Sequence, residues 1–81
     1  MAEPRRLFSE VQLRIRARHM SLRTERTYLH WIRRYVRFHA LRHPRELGAA
    51  AVTRFLTSLA EAERLSASSQ TQALSALLFL Y

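Results

Sequence analysis

Apolar residues recur along this chain at intervals of three and four, and nowhere do they alternate with the period of two that marks a strand. Four helices are predicted. The first runs from Glu3 to Arg18, with Pro4 in the first turn, where its missing N–H costs nothing, and with Leu7, Phe8, Val11 and Ile15 along one side. Arg5, Arg6, Arg14, Arg16 and Arg18 occupy its other side, and His19 and Met20 fall in the turn that follows. The second helix lies within Ser21 to His43 and has two unlike faces. At about 100° per residue, Tyr28, Trp31, Ile32, Tyr35, Phe38 and His39 share one side, and Arg26, His30, Arg33, Arg34 and Arg37 share the other. Ser21 is the N-cap, its hydroxyl placed to accept from the amide of Arg23 or Thr24, and Glu25 suits the positive end of the helix dipole. This helix ends near Leu41, because Pro44 disfavours a helical His43 and cannot continue the hydrogen-bond ladder itself.

Gly48 reads as the N-cap of a third helix, with Leu47 and Val52 placed to form a hydrophobic staple and Val52, Phe55, Leu56 and Leu59 as its buried strip. That strip fades through Glu61, Glu63 and Arg64. A fourth helix starts at Ser66, with Leu74, Leu77, Leu78 and Tyr81 on its apolar side. Ser68, Gln72 and Ser75 lie together on a different side, with Ser69 at its edge. That side carries hydrogen-bonding groups and no charge. The expected fold is an all-α, four-helix bundle with the second helix at its centre, since Trp31 and both tyrosines widen its apolar arc.

Composition narrows the partner. A chain of 81 residues builds one small core and little else. Fourteen arginines against six glutamates give a formal net charge of +8, and lysine, aspartate, asparagine and cysteine are absent. Such an excess predicts a polyanionic partner, nucleic acid ahead of membrane. Codon bias towards GC-rich DNA produces an all-arginine chain as readily as selection for bidentate phosphate contacts does. Lack of cysteine excludes disulfides and thiolate-rich zinc sites and fits a cytoplasmic protein. The start, MAEPRRLF, lacks the apolar core of a secretion signal. From Ala76 the sequence runs ALLFLY without a polar cap or charged tail, which reads as a domain, residues 1–81, excised from a longer protein.

Little points to catalysis. His39 and His43 stand four apart, as in zinc-binding helices, but the residues between them are Ala-Leu-Arg, without the glutamate of a metalloprotease motif. Glu61 and Glu63 do not share a helical face, and a single glycine rules out a glycine-rich phosphate loop. Neither a metal nor a cofactor is called for. Tyr28, Tyr35 and Tyr81 lie in apolar strips, which disfavours a nucleophilic role for any of them.

Taken in order, Ser21 and Thr24 opening a helix, then Tyr28, Trp31, Ile32 and Phe38, then the His43-Pro44 pair, then FLTSLA at Phe55 to Ala60 and SASSQTQALSALLFLY at Ser66 to Tyr81 form a pattern. It resembles the N-terminal, SAM-like core-binding domain of tyrosine recombinases, and within them most closely the integrases of integrons. Ser69 stands where a threonine is usual in that family, and Thr71 and Ser75 where asparagines are common. The resemblance implies a four-helix, SAM-like orthogonal bundle that grips double-stranded DNA at a recombination site. It implies that a C-terminal domain beyond this chain carries the arginine, histidine, lysine and nucleophilic tyrosine, so that this fragment is not itself an enzyme. It also implies that the whole protein works as a tetramer of protomers on paired sites of a mobile genetic element.

Members of the family lay their second and fourth helices across the major groove. The matching positions are Thr24, Arg26, Thr27 and His30 in the second helix and Ser68, Ser69 and Gln72 in the fourth. Ser21 and Thr24 are expected to donate to phosphate, and Arg23, Arg33, Arg34 and Arg37 to extend the basic field and set affinity. Glutamine pairs in bidentate fashion with adenine, which makes Gln72 the candidate for base contact. A helical protein-interaction domain, docking through Phe79 and the apolar C-terminus, is the competing reading. A basic amphipathic membrane-surface segment is a third, disfavoured because its aromatic strip is needed for the core.

Overall fold

The computed structural model describes residues 3–40 and 44–81, with side chains from residue 6 onward. Among the described residues there are four α-helices and no strand: α1 (Glu3–Ala17), α2 (Leu22–Phe38), α3 (Ala49–Glu61) and α4 (Ala67–Leu80), with a short 3-10 turn at Pro44–Glu46. This is the expected all-α, four-helix, SAM-like bundle. Leu41, where the sequence pattern ends the second helix, and His43 lie outside the described residues, as does the side chain of Arg5.

The helix starts follow local chemistry. Ser21 accepts from the Thr24 amide at 3.1 Å, and Ser66 accepts from the Ser69 amide at 3.2 Å, each satisfying one of the donors a helix leaves open. Gly48 caps α3 with no side chain to contribute. Its backbone is extended at φ −122°, and nothing lies within 4 Å of where a Cβ would stand. The only glycine is therefore spent at a place that does not require one. Left-handed backbone occurs instead at His19, Ala40 and Arg64, with φ of 56°, 55° and 51°. At the end of α1, His19 donates to Arg16 at 3.0 Å and Met20 to Ile15 at 3.3 Å, closing the last turn although a side chain is disfavoured there.

The core gathers Leu7, Val11 and Ile15 from α1, Leu29, Trp31, Ile32, Tyr35 and Val36 from α2, Ala51, Phe55 and Leu59 from α3, and Ala73, Ala76 and Leu77 from α4. For α1 and α3 this is the expected strip, with Phe8, Val52 and Leu56 at its margins. For α2 the buried arc is wider than expected on one flank and narrower on the other. Leu29 and Val36 are buried, whereas Phe38 is 46% exposed. The helix is enclosed by neighbours on more than one side, α1, α3 and α4 all packing against it.

The apolar strip expected of α4 is corrected by the structure. Leu74 and Leu78 are exposed, Leu78 to 68%, and Tyr81 is exposed to 55%. Leu77 is buried as expected, together with Ala73 and Ala76, so the buried strip is centred about a quarter-turn from the expected one. Size explains the phase: α4 packs most extensively on α2, whose side chains there are bulky, and alanine lets the two backbones approach.

Tyr81 is nevertheless anchored. Its hydroxyl donates to the Pro44 carbonyl at 2.9 Å, which leaves its oxygen to accept from Tyr35 at 3.0 Å. Burial, and then this bond, push the Tyr35 phenol well above its ordinary value. His39 completes the same end of the bundle by donating from Nε2 to the Ala51 carbonyl at 3.0 Å.

Because His19 is exposed, replacing it with glycine removes left-handed strain with little loss of contact. His19→Gly is expected to raise stability by about 0.5–1 kcal/mol after the extra freedom of the unfolded glycine is deducted. Equilibrium urea unfolding measures it, and an unchanged or lower midpoint contradicts the strain argument.

Candidate nucleic-acid interface

Arg23, Thr24, Thr27 and Tyr28 of α2 and Gln72 and Ser75 of α4 line one open cleft of roughly 300 Å³. Sequence alone placed these two sets of polar residues on separate helices; the packing of α4 on α2 joins them. The residues around the cleft carry hydroxyl, amide and guanidinium groups, and none of them is a carboxylate. Tyr28, expected in the core, is half-buried instead and forms the cleft's aromatic side. Its ring lies 5.4 Å from that of Phe79, tilted by 53°.

The remaining candidates do not line this cleft, and several are already engaged. The Ser21 hydroxyl accepts from the Thr24 amide and donates to Thr24 Oγ1 at 3.0 Å, so its proton is held within the cap. Thr24 accepts that bond and keeps its own proton to donate. Ser69 is drawn in the same way to the Ser66 hydroxyl at 3.2 Å, while Ser68 beside it is exposed. His30 is exposed, its ring edge-on to Trp31 at 4.9 Å. Arg33 lies over the Phe8 ring at 5.3 Å, a cation–π contact that fixes its stem and leaves its charge in water. Arg34 lies over Trp31 at 5.3 Å and pairs with Glu63. Arg23, Arg26 and Arg37 are exposed and have no ion-pair partner among the described residues.

One buried acid holds the cleft end of α2 in place. Glu25 is 6% exposed and sits between Thr24 and Arg26 in the sequence. It accepts from Arg16 Nε at 3.1 Å and from Gln12 Nε2 at 3.0 Å, both on α1. Hydrogen bonds from Arg16 and then Gln12 hold its carboxyl below the usual value of 4.5, outweighing the effect of burial. Sequence reading assigned Glu25 only to the helix dipole. A contact spanning α1 and α2 leaves no periodic signal in either.

Phe79 is also held within the molecule. Arg14 of α1 and Arg18 just after it lie over its ring at 4.9 and 5.1 Å, and Arg14 donates to its carbonyl at 3.1 Å. Its ring is therefore occupied by the domain's own arginines and by Tyr28. Among the described residues, no cluster of three or more His, Cys, Asp or Glu is placed to hold a metal ion. No helix among them is long and apolar enough to cross a membrane.

A match to the family described as "Phage integrase, N-terminal SAM-like domain" covers residues 7–81. The chain belongs to this family. Two relatives are each named "Integrase/recombinase", one from Escherichia coli and one from Pseudomonas aeruginosa. Each is 47% identical over 76 residues, covering 94% of this chain and 23% of the relative. This SAM-like domain thus spans about a quarter of their length. The matched span takes in α2, α4 and the cleft between them, together with Gln12, Arg16 and Glu25.

The lowered Glu25 value fixes the sign of a pH dependence. Its contribution is present above the unfolded value of 4.5 and is lost as pH falls through the lower, folded value. Glu25→Ala is expected to melt at a lower temperature than the parent at pH 7, with the two melting curves converging as the pH falls towards 2. A difference that persists undiminished in acid contradicts the ionised Arg16–Glu25–Gln12 contact.

Proposed function

We propose that this chain is the DNA-gripping domain of a tyrosine-type site-specific recombinase of the phage and integron kind. Strand cleavage and joining fall to a C-terminal domain outside the chain, and residues 1–81 form a single core-binding unit. The observation that carries the reading is the cleft in which Arg23, Thr24 and Thr27 face Gln72 across two helices, bordered by exposed arginines. The major groove, about 12 Å wide, admits a helix. With α2 and α4 laid against it, Thr24, Thr27 and the arginines reach phosphates, while Gln72 is the group with the geometry to read an adenine edge. The cap at Ser21 puts the positive end of α2 beside Arg23 and Thr24. Double-stranded DNA and further integrase protomers, assembling as a tetramer on paired sites, are the partners. The relatives' printed name supports a recombinase parent.

A protein-interaction role finds support in a different place. Leu47, Val52, Leu56, Leu74, Leu78 and Tyr81 line an apolar groove of roughly 470 Å³ between α3 and α4. Salt separates the two readings. If about four to six phosphates are neutralised, log K for duplex DNA falls against log salt with a slope of about −3.6 to −5.4. Fluorescence anisotropy on a labelled duplex provides the measurement, with the full-length protein as control. Binding that ignores salt, or none for either protein, removes the DNA reading.

Division of labour within the cleft gives a second test. Gln72→Ala is expected to relax sequence preference by about 1–3 kcal/mol between a recombination site and a scrambled duplex. Arg26→Ala is expected to weaken both duplexes alike and to lower the salt slope by about one. Competition binding across a set of duplexes distinguishes them, and equal effects on every sequence refute the assignment of Gln72 to base contact.

A further inference from the structure

Arg23, Thr27, His30 and Arg34 fall at spacings of four, three and four, so they form one stripe along α2 that begins inside the cleft and continues past it. Arg34 is the member of this stripe that carries an acid partner among the described residues. That partner, Glu63, follows the end of α3 in the turn leading to the Ser66 cap of α4. The turn is held in place. Glu63 N–H donates to the Ser58 carbonyl at 3.3 Å, Leu65 N–H donates to Leu59 at 3.1 Å, and the intervening Arg64 is left-handed at φ 51°. The Trp31 face beneath Arg34 fixes the other partner. Both side chains remain in contact with water, at 32% and 38% exposure.

We propose that Glu63 is an internal stand-in for phosphate. It occupies the Arg34 guanidinium in the free domain and yields it to a DNA phosphate on binding, so the pair tempers affinity for DNA of any sequence. This inference rests on the DNA-gripping reading above. A carboxylate and a phosphate take the same guanidinium fork. An exposed ion pair is weak and screened, whereas a phosphate contact adds the release of a condensed counterion. Exchange therefore favours the phosphate, but less strongly than binding by an unoccupied arginine would. After the exchange Glu63 is left as an uncompensated negative charge near the DNA backbone, which shortens the complex's lifetime. A domain that must leave non-specific DNA to find its site gains from such a brake.

Glu63→Gln removes the competitor and keeps the shape of the side chain. One further counterion released at about 0.1 M salt multiplies affinity by roughly eight at most. The expected result is duplex binding tightened about three- to eightfold and a salt slope steeper by up to ~0.9, equally for specific and scrambled duplexes. Glu61→Gln removes the same charge from the exposed last residue of α3 and reports the general effect of net charge. The gain from Glu63→Gln should exceed that of Glu61→Gln, and in an Arg34→Ala background it should fall to the Glu61→Gln level. Circular dichroism should show unchanged helix content. Equal gains for the two glutamine variants, a gain that survives in Arg34→Ala, weaker binding, or loss of fold on Glu63→Gln each overturn the proposal. Absence of salt-dependent binding by the unmodified protein overturns the DNA reading as well, so the two failures are distinct.

Discussion

The close approach of α4 to α2 is the contact on which the rest of this structure depends. Ala73 and Ala76 are the side chains that permit it, and Leu77 and Tyr81 extend it into the core and the far end of the bundle. If α4 presented leucine at those alanine positions, the backbones would separate and the cleft would lose one wall. The same contact decides which residues remain outside. With Ala73, Ala76 and Leu77 inward, Ser75 and Gln72 turn towards α2, and Leu74 and Leu78 turn towards α3. One choice of helix phase therefore creates both the polar cleft and the apolar groove.

Charge acts on this frame in two ways. Some arginines are structural: Arg16 closes on Glu25, and Arg14 and Arg18 cover Phe79. Others stay exposed, Arg23 and Arg26 at the cleft end of α2 and Arg37 in its last turn. A small domain with a formal net charge of +8 carries considerable self-repulsion, and placing arginine stems over aromatic rings recovers apolar contact without hiding the charge. The guanidinium suits both tasks because it stacks on a ring face and forks onto an anion.

How much of this was legible depended on sequence distance. Helix starts were readable at Ser21, Gly48 and Ser66 because caps are local chemistry. The strips of α1 and α3 were readable because each helix buries a single side. On α2, Leu29 and Val36 were overlooked because neighbours enclose the helix on more than one flank, a property of the assembly. On α4 the large residues suggested a strip at Leu74 and Leu78, but helix spacing favoured alanine, and the low amphipathic contrast of a helix rich in both gave no phase. Arg23, Thr24, Thr27 and Gln72 could be named as candidates from sequence, yet their meeting in one cleft could not. The pairings of Glu25 and Glu63 leave no local pattern because their arginine partners lie 9 and 29 residues away.

On the DNA-gripping reading proposed above, the α2–α4 face meets DNA and the α3–α4 groove does not. Backbone amide chemical shifts, followed by NMR during titration with a duplex, test this residue by residue. The largest changes are expected over Ser21 to Arg37 and Ser66 to Ser75, with Leu47 to Leu56 nearly still. Changes centred on Leu47 to Leu56 and Leu78, with α2 unmoved, would contradict the account.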